Sequence, residues 1–151
     1  MFDSNGGDLS QHDFAQFSLP YVAQIADRVR EQLWVRGLER VPMILFAKGA
    51  SPALAATAKY DVVGLDWTVD PRDKLIPQDV ALQGNLDPVV LYGGRDAIER
   101  EVKRMCAEAR AVRPTTGWIA NLGHGITPGV DPEDLKWFFE CVQKYSKVEG
   151  K

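Results

Sequence analysis

Apolar residues recur along this chain in two alternating patterns, which are short continuous runs and longer stretches with helical spacing. In the longer stretches apolar positions repeat every three or four residues, as in an amphipathic helix. The short runs lack alternation with polar residues, as expected of strands buried on both faces of a sheet. The alternation of the two patterns predicts an α/β fold with a parallel sheet.

The patterns define four strands and four helices. We expect the strands at 41–49, 61–68, 79–88 and 118–125, and the helices at 20–37, 51–59, 95–110 and 131–145. Ser18 and Asp131 stand where helix N-caps are preferred. The spacing predicts that Ile25, Val29 and Phe139 face the core. Two architectures remain open, an open doubly wound sheet and part of a (β/α)8 barrel, and both place ligand sites beyond the carboxyl ends of the strands.

Polar or aromatic residues stand where each predicted strand ends, which indicates a polar pocket at one rim of the sheet. An unpaired buried polar group costs roughly 1–3 kcal/mol, so such residues need partners or a role. Asp66 either caps a turn or serves the pocket, and Lys48 is either a solvated loop residue or part of the pocket. We expect Gln83 and Asn85 to hold loop backbone, and Trp67 to lie in the core.

His124 ends the fourth strand between Gly123 and Gly125 in the segment WIANLGHG. A structural histidine would be the ordinary interpretation of one imidazole after an apolar run. Glycines on both sides allow a close backbone approach or unusual dihedral angles. They favour a ligand-binding role for His124 over a packing role.

The 151-residue chain has a net charge of −3 and a pI of about 5.4, which argues against a nucleic-acid partner. Cys106 and Cys141 fall in helical patterns and are expected to be buried thiols of a reducing compartment. No segment approaches the ~20 apolar residues of a membrane span, so no membrane partner is expected. The first residues lack the features of a signal or transit peptide, which favours a cytoplasmic location.

Six segments resemble, in order and spacing, the uroporphyrinogen decarboxylase family. They are FDSNGGDLS, FSLPYVAQIADRV, VPMILFAKG, VVGLDWTVDP, VALQGNLDP and IANLGHGITPGVDPED. The resemblance covers nearly the whole chain but only the C-terminal part of a family member. It implies that residues 1–151 are a partial domain, the C-terminal half of a (β/α)8 TIM barrel whose N-terminal half is absent, with an open edge and an uncovered inner face.

The resemblance also implies a reaction. The family converts the four acetate groups of uroporphyrinogen III to methyl groups, giving coproporphyrinogen III in haem biosynthesis, with no metal or organic cofactor. The implied partners are the tetrapyrrole substrate and either a second copy in a homodimer or a complementing N-terminal half. A plastid location is the alternative to the cytoplasm if a transit peptide belonged to the missing half.

The family's site residues carry over to three positions. Ser4 and Phe2 match substrate-binding positions, and His124 matches a position that is both substrate-binding and catalytic. The family's arginines, pyrrole-binding aspartate and tyrosine belong to the N-terminal half, and Asp66 is not that aspartate. The chain is therefore expected to be a carboxy-lyase that is incomplete alone, or an inactive fragment that at most binds a partner or an anionic ligand. A corrinoid methyltransferase is a remote alternative that lacks the expected zinc ligands.

Overall fold

The computed structural model describes residues 1–113 and 117–147, in which five parallel strands form one sheet. The strands are β1 (Phe2–Asp3), β2 (Ile44–Ala47), β3 (Val62–Gly64), β4 (Ala81–Leu86) and β5 (Trp118–Leu122). Their order in the sheet, β1-β2-β3-β4-β5, is the order in the sequence. All four predicted strands are confirmed, within longer predicted limits.

The sequential strand order decides between the two predicted architectures. A doubly wound sheet reverses its order at a switch point, which this sheet does not do. Parallel crossovers are right-handed in nearly all proteins, so strands added always on the same side place their helices on the same face. A parallel sheet with helices on one face is the arrangement of a (β/α)8 barrel, of which five strands form a part.

Four of the helices follow the predicted ranges, and the short first helix lies outside them. The helices are α1 (Gln11–Asp13), α2 (Leu19–Val35), α3 (Pro52–Ala56), α4 (Gly94–Val112) and α5 (Pro132–Tyr145), with a π-helical segment over Phe14–Ser18 and 3₁₀ turns at Gly6–Asp8 and Pro88–Tyr92. Asp131 caps α5 by accepting a hydrogen bond from the Glu133 N–H. The predicted Ser18 cap is wrong, because helical residues precede it and its hydroxyl donates to Asp3 Oδ2 at 2.8 Å.

The helix-facing side of the sheet carries two buried clusters. Leu45, Val63 and Leu82 pack with α2 and α3 residues in the first, and Leu86 and Leu122 pack with α4 and α5 residues in the second. The second cluster also contains Cys106 and Cys141, which are free thiols as expected. Burial raises the pKa of the Cys106 thiol to about 11, which makes it unreactive.

The opposite side of the sheet is open. The pairing register aligns one residue from each strand in a single row, namely Phe2, Phe46, Gly64, Gln83 and Ile119. Phe2 is 79% exposed, although it lies on a strand. The prediction that Ile25, Val29 and Phe139 face the core is wrong, because all three are exposed. They lie beside this open side, where no second layer of the described residues covers them.

No helix in the described ranges, 1–113 and 117–147, combines the length and the apolar character needed to cross a membrane. That 1–151 forms one domain stays a prediction, because the range includes residues outside those described.

Candidate functional site

A cavity of about 900 Å³ occupies the open side of the sheet. Strand side chains such as Ile44, Phe46 and Gln83 line it, together with apolar residues of α2 and α5. Its size lies within the range of small-molecule sites, which are mostly apolar with a few polar groups. At the carboxyl ends of the strands, the wall includes Ser4 and His124. This is the rim at which barrel enzymes place their active sites.

His124 stands among aromatic rings. Its ring centroid lies 6.1 Å from that of Trp67 and 6.2 Å from that of Phe46. Phe46 in turn lies 6.1 Å from Phe2 in an edge-to-face arrangement. Phe2, Phe46 and His124 therefore line one wall of the cavity, and the Trp67 ring adjoins His124. The expectation that Trp67 lies in the core is wrong, because the residue is 37% exposed.

The two glycines beside His124 differ in function. A Cβ atom at Gly123 would overlap the backbone of Trp67, so only glycine allows the end of β5 to approach the segment after β3 this closely. A Cβ at Gly125 would meet nothing within 4 Å. The first glycine thus permits the contact that places His124 beside Trp67. Space on the other side remains free for a ligand.

Asp66 joins the loops of the rim. It is 4% exposed, and its carboxylate accepts hydrogen bonds from the Gly49 N–H at 2.8 Å, the Thr68 N–H at 2.8 Å and the Thr68 hydroxyl at 2.5 Å. Burial raises the pKa of Asp66, but these hydrogen bonds and the charge of Lys48 outweigh it and hold the pKa below its ordinary value. Asp66 therefore caps the turn after β3, and it also connects that turn to the end of β2.

Further contacts extend this connection in both directions. The Asn85 amide on β4 donates to the carbonyls of Asp66 at 2.8 Å and Val69 at 2.7 Å, so Asn85 holds loop backbone as predicted. On the other side, the Gly7 N–H donates to the Lys48 carbonyl at 2.7 Å. The loops after β1, β2 and β3 and the end of β4 are thus tied together around Asp66. Gln83, expected in a similar role, instead lines the cavity.

The structure brings all three sequence-predicted site residues to the cavity wall. Phe2 lies on β1, Ser4 lies just after β1, and His124 lies just after β5. Sequence reasoning missed Ile44 and Phe46 as wall residues. Side chains on a strand alternate between faces, so counting back in twos from Lys48 would have identified both. No group of three or more His, Cys, Asp or Glu side chains within 1–113 and 117–147 is arranged to hold a metal ion.

Comparisons with known proteins agree on one family. The model of the uroporphyrinogen decarboxylase (URO-D) family matches residues 1–145. The chain is 43% identical to a uroporphyrinogen decarboxylase of Schizosaccharomyces pombe, with 98% of this chain and 42% of the relative covered. Identity is 44% to that of Danio rerio (97% and 40% covered) and 45% to that of Acinetobacter baylyi (97% and 41% covered). The chain thus spans about two fifths of the length of these curated relatives.

Proposed function

Because this chain belongs to the uroporphyrinogen decarboxylase family, we propose that its cavity forms one side of a tetrapyrrole site. The proposed reaction converts the four acetate groups of uroporphyrinogen III to methyl groups, giving coproporphyrinogen III in haem biosynthesis. The observation that carries the proposal is the combination of an aromatic wall with Ser4 and His124 at its rim. Such a surface suits a macrocycle of apolar pyrrole rings with a carboxylated periphery.

The residues at the cavity have different proposed roles, which follow from the chemistry of their side chains. Phe2 and Phe46 offer apolar contact to pyrrole rings. Ser4 donates one hydrogen bond to a substrate carboxylate, and the His124 imidazole binds and orients another. An imidazole also has ring nitrogens that donate or accept a proton, which suits a group that relays a proton to the substrate. His124 is therefore the proposed catalytic residue of this chain, while Ser4 and Phe2 bind substrate.

In the proposed step, the bond between the acetate methylene and its carboxyl carbon breaks, and carbon dioxide leaves. The electron pair passes into the pyrrole ring, which has been protonated beforehand. The methylene carbon then takes a proton and becomes a methyl group, as the electron pair returns and the ring loses its added proton. Because the substrate ring accepts the electrons, the proposed reaction needs no metal or organic cofactor.

The open side of the sheet supports a role for a partner. β1 and β5 each lack a neighbour on one side within the described residues, and unpaired strand edges are ready templates for pairing. We propose that a complementing N-terminal half completes the barrel, and that the assembled protein is a cytoplasmic homodimer. The same edges also favour the second candidate, an inactive fragment that binds a partner.

The test measures coproporphyrinogen formation from uroporphyrinogen. The chain is assayed alone and mixed with the part of the Schizosaccharomyces pombe relative that it does not match. We expect product in the mixture only. Product from the chain alone would contradict the expectation that the chain needs a complementing half. Absence of product from a mixture that forms a complex would exclude the enzyme and leave the binding module.

A pair of variants assigns the role of His124. His124→Ala in the active mixture should lower the rate with unchanged solubility and circular dichroism. His12→Ala is the matched control, because His12 is an exposed residue of α1 that does not line the cavity. Loss of solubility in His124→Ala would instead indicate a structural histidine. Equal rates in both variants would remove His124 from the proposal.

A further inference from the structure

Lys48 follows β2 on the cavity side of the sheet. It stands two residues after Phe46, and alternate residues of an extended strand share a face. Its side chain is half-buried, and the ammonium Nζ lies 5.4 Å from the centroid of the Trp67 ring. A cation held over an indole ring is attracted by the quadrupole of the ring. The ring therefore positions a positive charge beside the part of the cavity wall that His124 forms.

No carboxylate of the described residues neutralises this charge by direct pairing. Among the ion pairs formed within 1–113 and 117–147, none includes Lys48. Asp66 acts on it electrostatically. The Asp66 oxygens, however, already accept hydrogen bonds from Gly49 and Thr68. The three N–H donors of the Lys48 ammonium thus remain available to a ligand.

Trp67 has a second polar neighbour, His124, at 6.1 Å between ring centroids. Lys48 and His124 both lie beside this indole, and both follow the carboxyl ends of strands. A carboxylate bound there would receive a charge-assisted hydrogen bond from an ammonium, the stronger class of hydrogen bond. The exposed indole beside it would shield the pair from water on one side.

We propose that Lys48, Trp67 and His124 form a subsite that binds one carboxylate side chain of the tetrapyrrole substrate. Lys48 supplies the charge, Trp67 positions it, and His124 contacts the same carboxylate. The inference rests on the proposed function, since the ligand is the substrate named there. It adds a positively charged binding residue that this chain provides by itself.

The test is a titration of the chain with uroporphyrin III, followed by porphyrin fluorescence. Lys48→Met keeps the length of the side chain and removes the charge, and we expect about tenfold weaker binding. Lys48→Arg restores the charge and should recover most of the affinity. Lys74→Met is the matched control, because Lys74 is exposed in a loop and, among the described residues, is not held over an aromatic ring. The difference between wild type and Lys48→Met should shrink at high salt, which screens exposed charges.

The outcomes separate the two proposals. If the wild type binds uroporphyrin III and Lys48→Met binds equally well, the subsite is wrong and the tetrapyrrole site stands. Equal losses in Lys48→Met and Lys74→Met would indicate a general charge effect and would also overturn the subsite. If Lys48→Arg binds no better than Lys48→Met, charge is not the cause and the subsite fails. A wild type that binds no uroporphyrin III overturns the tetrapyrrole site itself.

Discussion

The two sides of the sheet differ in how far the chain completes them. On the helix-facing side, Leu45 and Leu86 are fully buried against helices of the same chain. On the cavity side, Phe2 is 79% and Ile119 43% exposed, in the same row as the half-buried Phe46. The strands are the same, and only the covering layer differs. The described residues therefore cover the helix-facing side of the sheet by themselves, whereas they leave the cavity side without a covering layer.

This difference also separates the residues that stabilise the fold from the candidate site residues. The side chains that stabilise the fold by burial point at the helices, and the candidate site residues lie at or beside the open cavity. A site built from several strands of a barrel needs groups from around the whole rim. The chain spans about two fifths of its relatives, so its share of such a rim is partial.

The sharpest test of the comparison uses two neighbouring phenylalanines of α5. Both border the cavity, but Phe138 is 2% exposed and belongs to the second buried cluster, whereas Phe139 is 55% exposed. Phe138→Ala should lower the free energy of unfolding by about 3–5 kcal/mol, the usual cost of such a cavity. Phe139→Ala should lose at most about 1.5 kcal/mol, the value of its edge-to-face contact with Phe138. Urea denaturation of both variants measures the difference.

Equal losses of stability in the two variants would contradict the distinction between the covered helix-facing side and the open cavity side. A larger loss in Phe139→Ala would mean that a partner or second copy covers the cavity in solution. Repeating the denaturation over a range of protein concentrations distinguishes that case, because stability gained by association depends on concentration.

The helix-facing side was largely predictable from the sequence. Apolar spacing placed Val22 and Ala26 on the buried face of α2, and Ile98 and Val102 on that of α4. Periodicity reports which face of a helix is apolar, and for α4 that face is the buried one. For α5 it predicted Phe139 as well as Phe138, and only Phe138 is buried. The apolar pattern of a helix reflects the surfaces that the helix packs against in the complete fold. It does not show whether those surfaces belong to this chain.

The position of the rim was predictable from the sequence, but the contacts between its residues were not. The polar ends of the strands converge as expected, and Asn85 holds loop backbone as predicted. The contacts of Gly123 with Trp67, and of Asp66 with Gly49, join elements far apart in the sequence. Residue spacing carries no information on such contacts, because the strand order and curvature that create them are properties of the folded sheet.

The second prediction concerns Asp66, which connects the two regions at the rim. Asp66→Asn should lower the free energy of unfolding by about 1–3 kcal/mol, because an amide cannot accept all the hydrogen bonds of the carboxylate. Asp79→Asn, at an exposed position, is the control and should change stability little. Thermal denaturation near neutral pH measures both. A negligible effect of Asp66→Asn would show that the rim loops hold together without it.

The pH dependence of the same variant follows from the lowered pKa of Asp66. A carboxylate whose pKa is lower in the folded than in the unfolded protein stabilises fully above the unfolded pKa, which is about 3.9. That contribution is lost as the pH falls through the folded pKa. The stability difference between wild type and Asp66→Asn should therefore be constant near neutrality and shrink below about pH 4. A difference that grows on acidification would contradict the assigned direction.

The smallest expected change in stability is on the cavity side, where two exposed phenylalanines form a matched pair. Phe2 lines the cavity, and Phe17, 59% exposed, does not. Phe2→Ser and Phe17→Ser should each change the free energy of unfolding by less than about 0.5 kcal/mol, as is usual for exposed positions. Only Phe2→Ser should reduce binding of a fluorescent dye that reports exposed apolar surface. Equal dye binding in both variants would mean that the cavity is closed in solution, and the contrast between the two sides of the sheet would then fail.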